Sequence, residues 1–181
     1  MRRNQSLLDT LLELQVLDRV PRSGYFLRGI NDAESVSEHS FHIVFLVWAL
    51  AAEEPAVDRL RAMELALVHD LAEVRTGDLP RTAAGYLPPG AKASAELAAA
   101  DDLLAPLGEQ AVARVAEYQA GETAEARFVS TCDKLQLLIK ATVYEGWGAK
   151  AMGEFWDNLA SFTDGGFESI GRVLAELRER R

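Results

Sequence analysis

The chain has three histidines, His39, His42 and His69, and the last is followed at once by Asp70. The pair sits in the apolar run Ala66-Leu67-Val68-His69-Asp70-Leu71-Ala72. An ionised carboxylate beside an imidazole in such a run is expensive to bury unless a cation or hydrogen-bond donors compensate it. A divalent metal is one such cation. An arginine partner for Asp70, or capping of backbone amides by it, is the structural alternative. Asp133 raises the same question in Phe128-Val129-Ser130-Thr131-Cys132-Asp133-Lys134-Leu135, where the alternative is an ion pair with Lys134 or Lys140. Together with His39, these residues make a mixed nitrogen and oxygen set. Such a set suits manganese, iron, cobalt, nickel or zinc rather than calcium. A lone histidine is more often a hydrogen-bonded core or surface residue, and His42 is read that way.

Glu73 follows His69 by four residues and Asp70 by three, so on a helix it projects from the same region. There it can orient or deprotonate an attacking water, or donate a proton to a leaving oxygen. A solvated residue near a helix end is the alternative. The next stretch, Arg75-Thr76-Gly77-Asp78-Leu79-Pro80-Arg81, is a turn that can line a pocket. In it Arg81 could meet phosphate and Asp78 a sugar hydroxyl.

The elements that must position these residues are almost all helical. Leu7, Leu8, Leu11, Leu12 and Leu14 recur at helical spacing in a first helix ending near Pro21. Arg22 to Ala33, with Gly24, Gly29 and Asn31-Asp32, reads as a loop. Ser35-Val36-Ser37-Glu38 is a capping box, predicting a second helix to about Glu53. Asp58 is the expected cap of a third helix through Val74, with Leu60, Met63, Leu67 and Leu71 on one stripe. Further helices are predicted over Ala91 to Ala105, Glu109 to Gln119, Thr123 to Glu145, Ala149 to Ser161 and Phe167 to Arg180.

The chain has 181 residues, 49% of them hydrophobic and 26% charged. It can bury roughly 70% of its unfolded surface without a staple, so a metal would be functional rather than structural. A formal charge of −9 speaks against binding long nucleic acid, which requires a basic surface. Small phosphate esters need only a few local cations. The single cysteine, Cys132, excludes an internal disulfide and suits a reducing cytoplasm. Arg2 and Arg3 precede a leucine-rich stretch, but Asp9 and Glu13 interrupt it before a signal-peptide core forms. No run reaches the ~20 apolar residues of a membrane-spanning helix.

Three ordered blocks carry a resemblance: Glu34-Ser35-Val36-Ser37-Glu38-His39-Ser40, then His69-Asp70-Leu71-Ala72-Glu73-Val74-Arg75-Thr76-Gly77-Asp78-Leu79-Pro80, then Cys132-Asp133-Lys134-Leu135. In these the chain resembles the HD-domain phosphohydrolases, and within them the compact bacterial 5'-deoxynucleotidases and their eukaryotic HD-domain-containing relatives. The resemblance implies an all-α, single-domain helical bundle over residues 1–181, with His39, His69, Asp70 and Asp133 as ligands of one divalent metal. Dinuclear HD proteins add two histidines between the His-Asp pair and the last aspartate, and no histidine follows His69 here. That absence counts against an HD-type di-iron oxygenase.

The resemblance also places substrate contacts in the first loop and after the His-Asp helix. Tyr25 stands where relatives carry a tryptophan or similar aromatic that excludes a ribose hydroxyl, and Gly24 stands where some bacterial relatives have arginine. The substrate-facing set is Arg22, Tyr25, Arg28, Asp78, Leu79, Pro80, Arg81 and Lys134. The implied reaction is hydrolysis of a nucleoside 5'-monophosphate, with Glu73 and Asp70 as catalytic residues and a homodimer as the assembly. A phosphatase for a modified nucleotide or other small monoester, or a non-catalytic nucleotide-binding helical dimer, is the alternative. Phe155, Trp156, Phe162 and Phe167 are read as core, with a dimer contact as the alternative.

Overall fold

The computed structural model describes residues 5–181, so the reading of Arg2 and Arg3 lies outside the described residues. The helices are α1 (Leu7–Leu14), α2 (Ser23–Phe26), α3 (Val36–Leu50), α4 (Arg59–Val68), α5 (Glu73–Thr76), α6 (Arg81–Ala84), α7 (Ala91–Leu104), α8 (Glu109–Ala120), α9 (Ala124–Gly146), α10 (Gly153–Asn158) and α11 (Glu168–Glu179). Among the described residues the only extended pairing is an isolated antiparallel bridge between Pro21 and Ser35. The fold is all-α.

The predicted caps form. Ser35 Oγ accepts from the Glu38 amide at 3.2 Å, and Glu38 Oε2 accepts from the Ser35 amide at 2.7 Å, which fixes where α3 begins and so where His39 points. Asp58 caps α4 through the Arg61 amide at 3.1 Å, and Thr123 caps α9 through the Ala126 amide at 3.2 Å.

The central helix is α9, whose Phe128, Val129, Cys132, Leu135 and Leu138 are buried. They pack with Ile43 and Val47 of α3 and with Ala62, Leu65 and Ala66 of α4. Each large apolar side chain buried there contributes roughly 1.5–3 kcal/mol. Phe155, Trp156, Phe162 and Phe167 are buried too, as the core reading expects. A second cluster joins Ala72 to Ala100, Leu103, Leu104 and Val115 of the α7–α8 pair. Thr10 of α1 is tied to it by donating to the Leu103 carbonyl at 2.8 Å.

Three sequence expectations change. The third helix does not run to Val74: α4 stops at Val68, and His69 to Ala72 form a tight turn before α5. Its amides bond three residues back, with Leu71 to the Val68 carbonyl at 3.3 Å and Glu73 to that of Asp70 at 3.0 Å. The Ala66 carbonyl, which an unbroken helix would offer to Asp70, accepts from His69 Nδ1 at 2.7 Å. Gly77, at φ 71, ends α5 in a conformation that favours glycine.

The expected loop from Arg22 contains α2, because Asp78 accepts from the Ser23 amide at 2.7 Å. That cap comes from far along the chain, where a local reading cannot see it. The expected helix from Ala149 is shortened to α10. Ala149 is used in closing α9, donating to the Tyr144 carbonyl at 2.9 Å across Gly148 at φ 96.

Candidate metal centre

The site forms where α3, the α4–α5 turn and α9 meet. Potential ligand atoms of His39, His69 and Asp70 lie within 4.8 Å of one another. His39 Nε2 is 3.5 Å from Asp70 Oδ2 and 3.3 Å from Asp133 Oδ1, and His69 Nε2 is 3.1 Å from Asp70 Oδ2. Both histidines are buried, and neither Nε2 has a hydrogen-bond partner.

Both Nδ1 atoms are engaged. That of His69 faces the Ala66 carbonyl, which can only accept, so Nδ1 carries a proton and the neutral imidazole has its lone pair on Nε2. His39 Nδ1 faces Gln136 Oε1 at 2.9 Å, with the same consequence. Two buried lone pairs aimed at two carboxylates, with no donor for either, are the donor set of a divalent metal ligated by imidazole nitrogen and carboxylate oxygen. The residues fit the group.

The electrostatics are those of a site that keeps carboxylates charged. Burial pushes Asp70 upward, but His69 and Arg22 outweigh it and hold the carboxyl well below the usual range. Asp133 is also lowered, with His39 overcoming the effect of burial. Burial would lower His69, yet Asp70 raises it. Glu73 goes the other way. It is 2% exposed with Oε2 unpartnered, and burial, then the charges of Asp70 and Asp78, push it up to about 9. The solvated alternative for Glu73 does not hold. Lys92 Nζ stands 4.0 Å from its other oxygen.

A cavity of about 480 Å³ adjoins the centre, within the size range of small-molecule sites. All eight expected substrate-facing residues, Arg22, Tyr25, Arg28, Asp78, Leu79, Pro80, Arg81 and Lys134, line it together with Asp133. Arg22 bridges the cavity to the carboxylates, with Nη1 2.6 Å from Asp78 Oδ1 and 3.6 Å from Asp70 Oδ2. Asp70 therefore has both an arginine neighbour and the histidines. Burial lowers the Arg22 guanidinium, but Asp78 and Asp70 more than reverse this, so its charge is secure. Arg28 is paired with Glu154 and donates to the Gly24 carbonyl at 3.0 Å. Arg81 and Lys134 lie exposed at the rim. The Tyr25 hydroxyl donates to the Leu137 carbonyl at 2.8 Å, and its ring packs on Phe155 and Tyr144.

His42 stays outside the ligand cluster, 3.6 Å from Glu34 Oε2. Lys140 pairs with Glu34 at 3.1 Å rather than with Asp133. Sequence reading passed over Gln136, Glu34, Lys92 and Glu154. The first two carried a signal: Gln136 lies one helical turn after Asp133, and Glu34 opens the block containing His39.

Residues 14–167 match the HD domain family. The chain belongs to the HD-domain family. This HD-domain chain is 32% identical over 183 residues to the 5'-deoxynucleotidase HDDC2 of Homo sapiens, an alignment covering 98% of this chain and 87% of the human protein. A conserved hypothetical protein from Pyrococcus furiosus superposes with a TM-score of 0.83 at 32% identity, covering 95% of this chain and 99% of its own. A Cyanophage S-2L HD phosphohydrolase, solved bound to dA and one catalytic Zn2+ ion, superposes with a TM-score of 0.54 at 26% identity, covering 93% and 96%.

Proposed function

We propose that this HD-domain protein is a metal-dependent phosphomonoesterase that hydrolyses deoxynucleoside 5'-monophosphates to nucleoside and phosphate. One observation carries the reading: two buried, unpartnered imidazole nitrogens face Asp70 and Asp133 at the edge of a cavity lined by Arg22, Arg28, Arg81 and Lys134. The human relative's name as a 5'-deoxynucleotidase and the phage relative's bound dA and zinc agree with it.

His39, His69, Asp70 and Asp133 would hold one divalent ion. When bound, that ion supplies Lewis-acid charge that polarises a phosphoryl oxygen and acidifies water. Asp78 spends Oδ1 on Arg22 and Oδ2 on Ser23, so it orients a guanidinium toward the phosphate rather than reading the sugar first. Arg22, with Arg28, Arg81 and Lys134 around the cavity, offsets charge on the phosphoryl oxygens. Glu73 takes a proton from the attacking water as the water oxygen bonds phosphorus, and returns it to the 5' oxygen as the bond from phosphorus to that oxygen breaks. Tyr25, its hydroxyl committed to Leu137, presents a rigid ring where the sugar lies.

The shared core of α3, α4, α9 and α11 supports a single HD domain over residues 1–181. A cytoplasmic location is supported by the one cysteine, a buried free thiol; no helix among the described residues is long and apolar enough to cross a membrane. A homodimer is supported by exposed Phe41, Phe45 and Trp48, which recur along one side of α3.

A screen of deoxynucleoside, ribonucleoside and sugar phosphates with added manganese, cobalt or zinc tests the reading. Release of phosphate from deoxynucleoside monophosphates, lost in Asp70→Ala and Asp133→Ala together with stoichiometric metal, is expected. Equal rates on 2'-hydroxy and 2'-deoxy substrates would remove the deoxy preference, and preference for a triphosphate would replace the monophosphate assignment.

A further inference from the structure

The two histidines of the centre are fixed in different ways. His69 Nδ1 meets the Ala66 carbonyl, a backbone acceptor that no side-chain change can reverse. His39 Nδ1 meets Gln136, whose amide end could equally be a donor or an acceptor. Were the amide turned round, its NH2 would face Nδ1. The imidazole proton would move to Nε2, and the lone pair aimed at Asp133 and Asp70 would be gone.

What holds the amide is Glu34. Gln136 Nε2 lies 3.2 Å from Glu34 Oε1 and 3.1 Å from Oε2, and a carboxylate can only accept. The amide nitrogen is thereby committed to Glu34 and the amide oxygen to His39. Glu34 is fixed in turn. Lys140 Nζ approaches Glu34 Oε2 at 3.1 Å, and the Glu34 backbone amide donates to the Tyr144 hydroxyl at 2.8 Å. Glu34 and Gln136 are each 3% exposed, so water does not compete for these bonds. The bridge that joins Pro21 to Ser35 holds Glu34 in place, and its carbonyl accepts from the Arg22 amide at 2.8 Å.

We infer that Glu34 and Gln136 are positioning residues for the metal: Glu34, anchored by Lys140, orients the Gln136 amide so that His39 is kept in the tautomer whose Nε2 can ligate. The chain Lys140–Glu34–Gln136–His39 puts the carboxylate one residue back from the imidazole. The amide transmits the orientation, while Glu34 Oε1 itself stands 3.8 Å from His39 Nδ1. This inference rests on the metal reading of the site.

The test uses the full chain stripped of metal, then titrated with cobalt. Nitrogen-15 NMR of the metal-free wild type should show His39 protonated at Nδ1; a proton on Nε2 would overturn the inference without any variant. Glu34→Gln should mix the two tautomers and weaken cobalt binding roughly 10- to 100-fold, the usual cost of losing an outer-shell partner. The exchanged pair Glu34→Gln with Gln136→Glu restores an acceptor-only group beside Nδ1, and should recover the Nδ1 tautomer and most of the affinity. A cobalt affinity and tautomer unchanged in Glu34→Gln would overturn the relay while leaving the metal site standing. If wild type binds no cobalt, manganese or zinc, the metal reading itself fails, and the relay with it. Should Glu34→Gln not fold, Gln136→Leu is read by the same cobalt titration, with wild-type affinity again the overturning result.

Discussion

Glu73 gives the sharpest test because its position is costly in the absence of a cation. Burial beside Asp70 and Asp78 moves its carboxyl from 4.5 up to about 9. Between these values the folded, metal-free chain holds a proton that the unfolded chain has released. Stability therefore falls as pH rises, by about 1 kcal/mol per pH unit, or about 2 to 3 kcal/mol from about pH 6 to about pH 8. Glu73→Gln keeps the shape and removes the titration, so its stability should change less with pH over that range. For a chain of this size each kcal/mol moves the unfolding midpoint by roughly 2–4 °C, so the effect is measurable. The assay is urea or thermal unfolding of metal-stripped wild type and variant at several pH values. Added manganese or zinc should flatten the wild-type slope, because a nearby cation favours the carboxylate. The same substitution should retain metal yet lower turnover roughly 100- to 10,000-fold, the span of general acid–base contributions. Parallel pH dependences for the two metal-free proteins would refute the account of Glu73 as a buried carboxyl held at the expense of stability.

Two further outcomes follow from the packing. Ser35→Ala removes half of the capping box of α3, and should cost about 1 kcal/mol in urea unfolding; no loss would mean that Glu38 alone sets the helix start. Phe45→Glu places a charge on the exposed side of α3, where Phe45 is 55% and Phe41 67% exposed. It should convert a dimer to monomer in analytical ultracentrifugation with stability changed by less than about 0.5 kcal/mol, whereas an unchanged mass would remove this face as the dimer contact.

The sequence by itself determined the helical class, the starts of α3, α4 and α9, and the residue types of the centre. These depend on local chemistry: a cap must lie within a turn of the amides it satisfies, and a buried carboxylate beside histidine is conspicuous wherever it falls. The family resemblance added a set of residues expected to face substrate, and these line one cavity. What local chemistry could not supply was anything settled by a partner far along the chain. The helix in the Arg22 loop exists because Asp78 caps it from the opposite side of the cavity. The break after Val68 brings His69 and Asp70 out of helical register, so that Nε2 and Oδ2 meet at 3.1 Å. Lys140, a candidate partner for Asp133 on sequence grounds, pairs with Glu34 instead, because the bridge at Pro21 and Ser35 delivers that carboxylate to α9. Residue identity set which atoms could bind a metal; tertiary packing set which of their nitrogens kept a lone pair, since a tautomer depends on the acceptor that the fold brings to the other side of the ring.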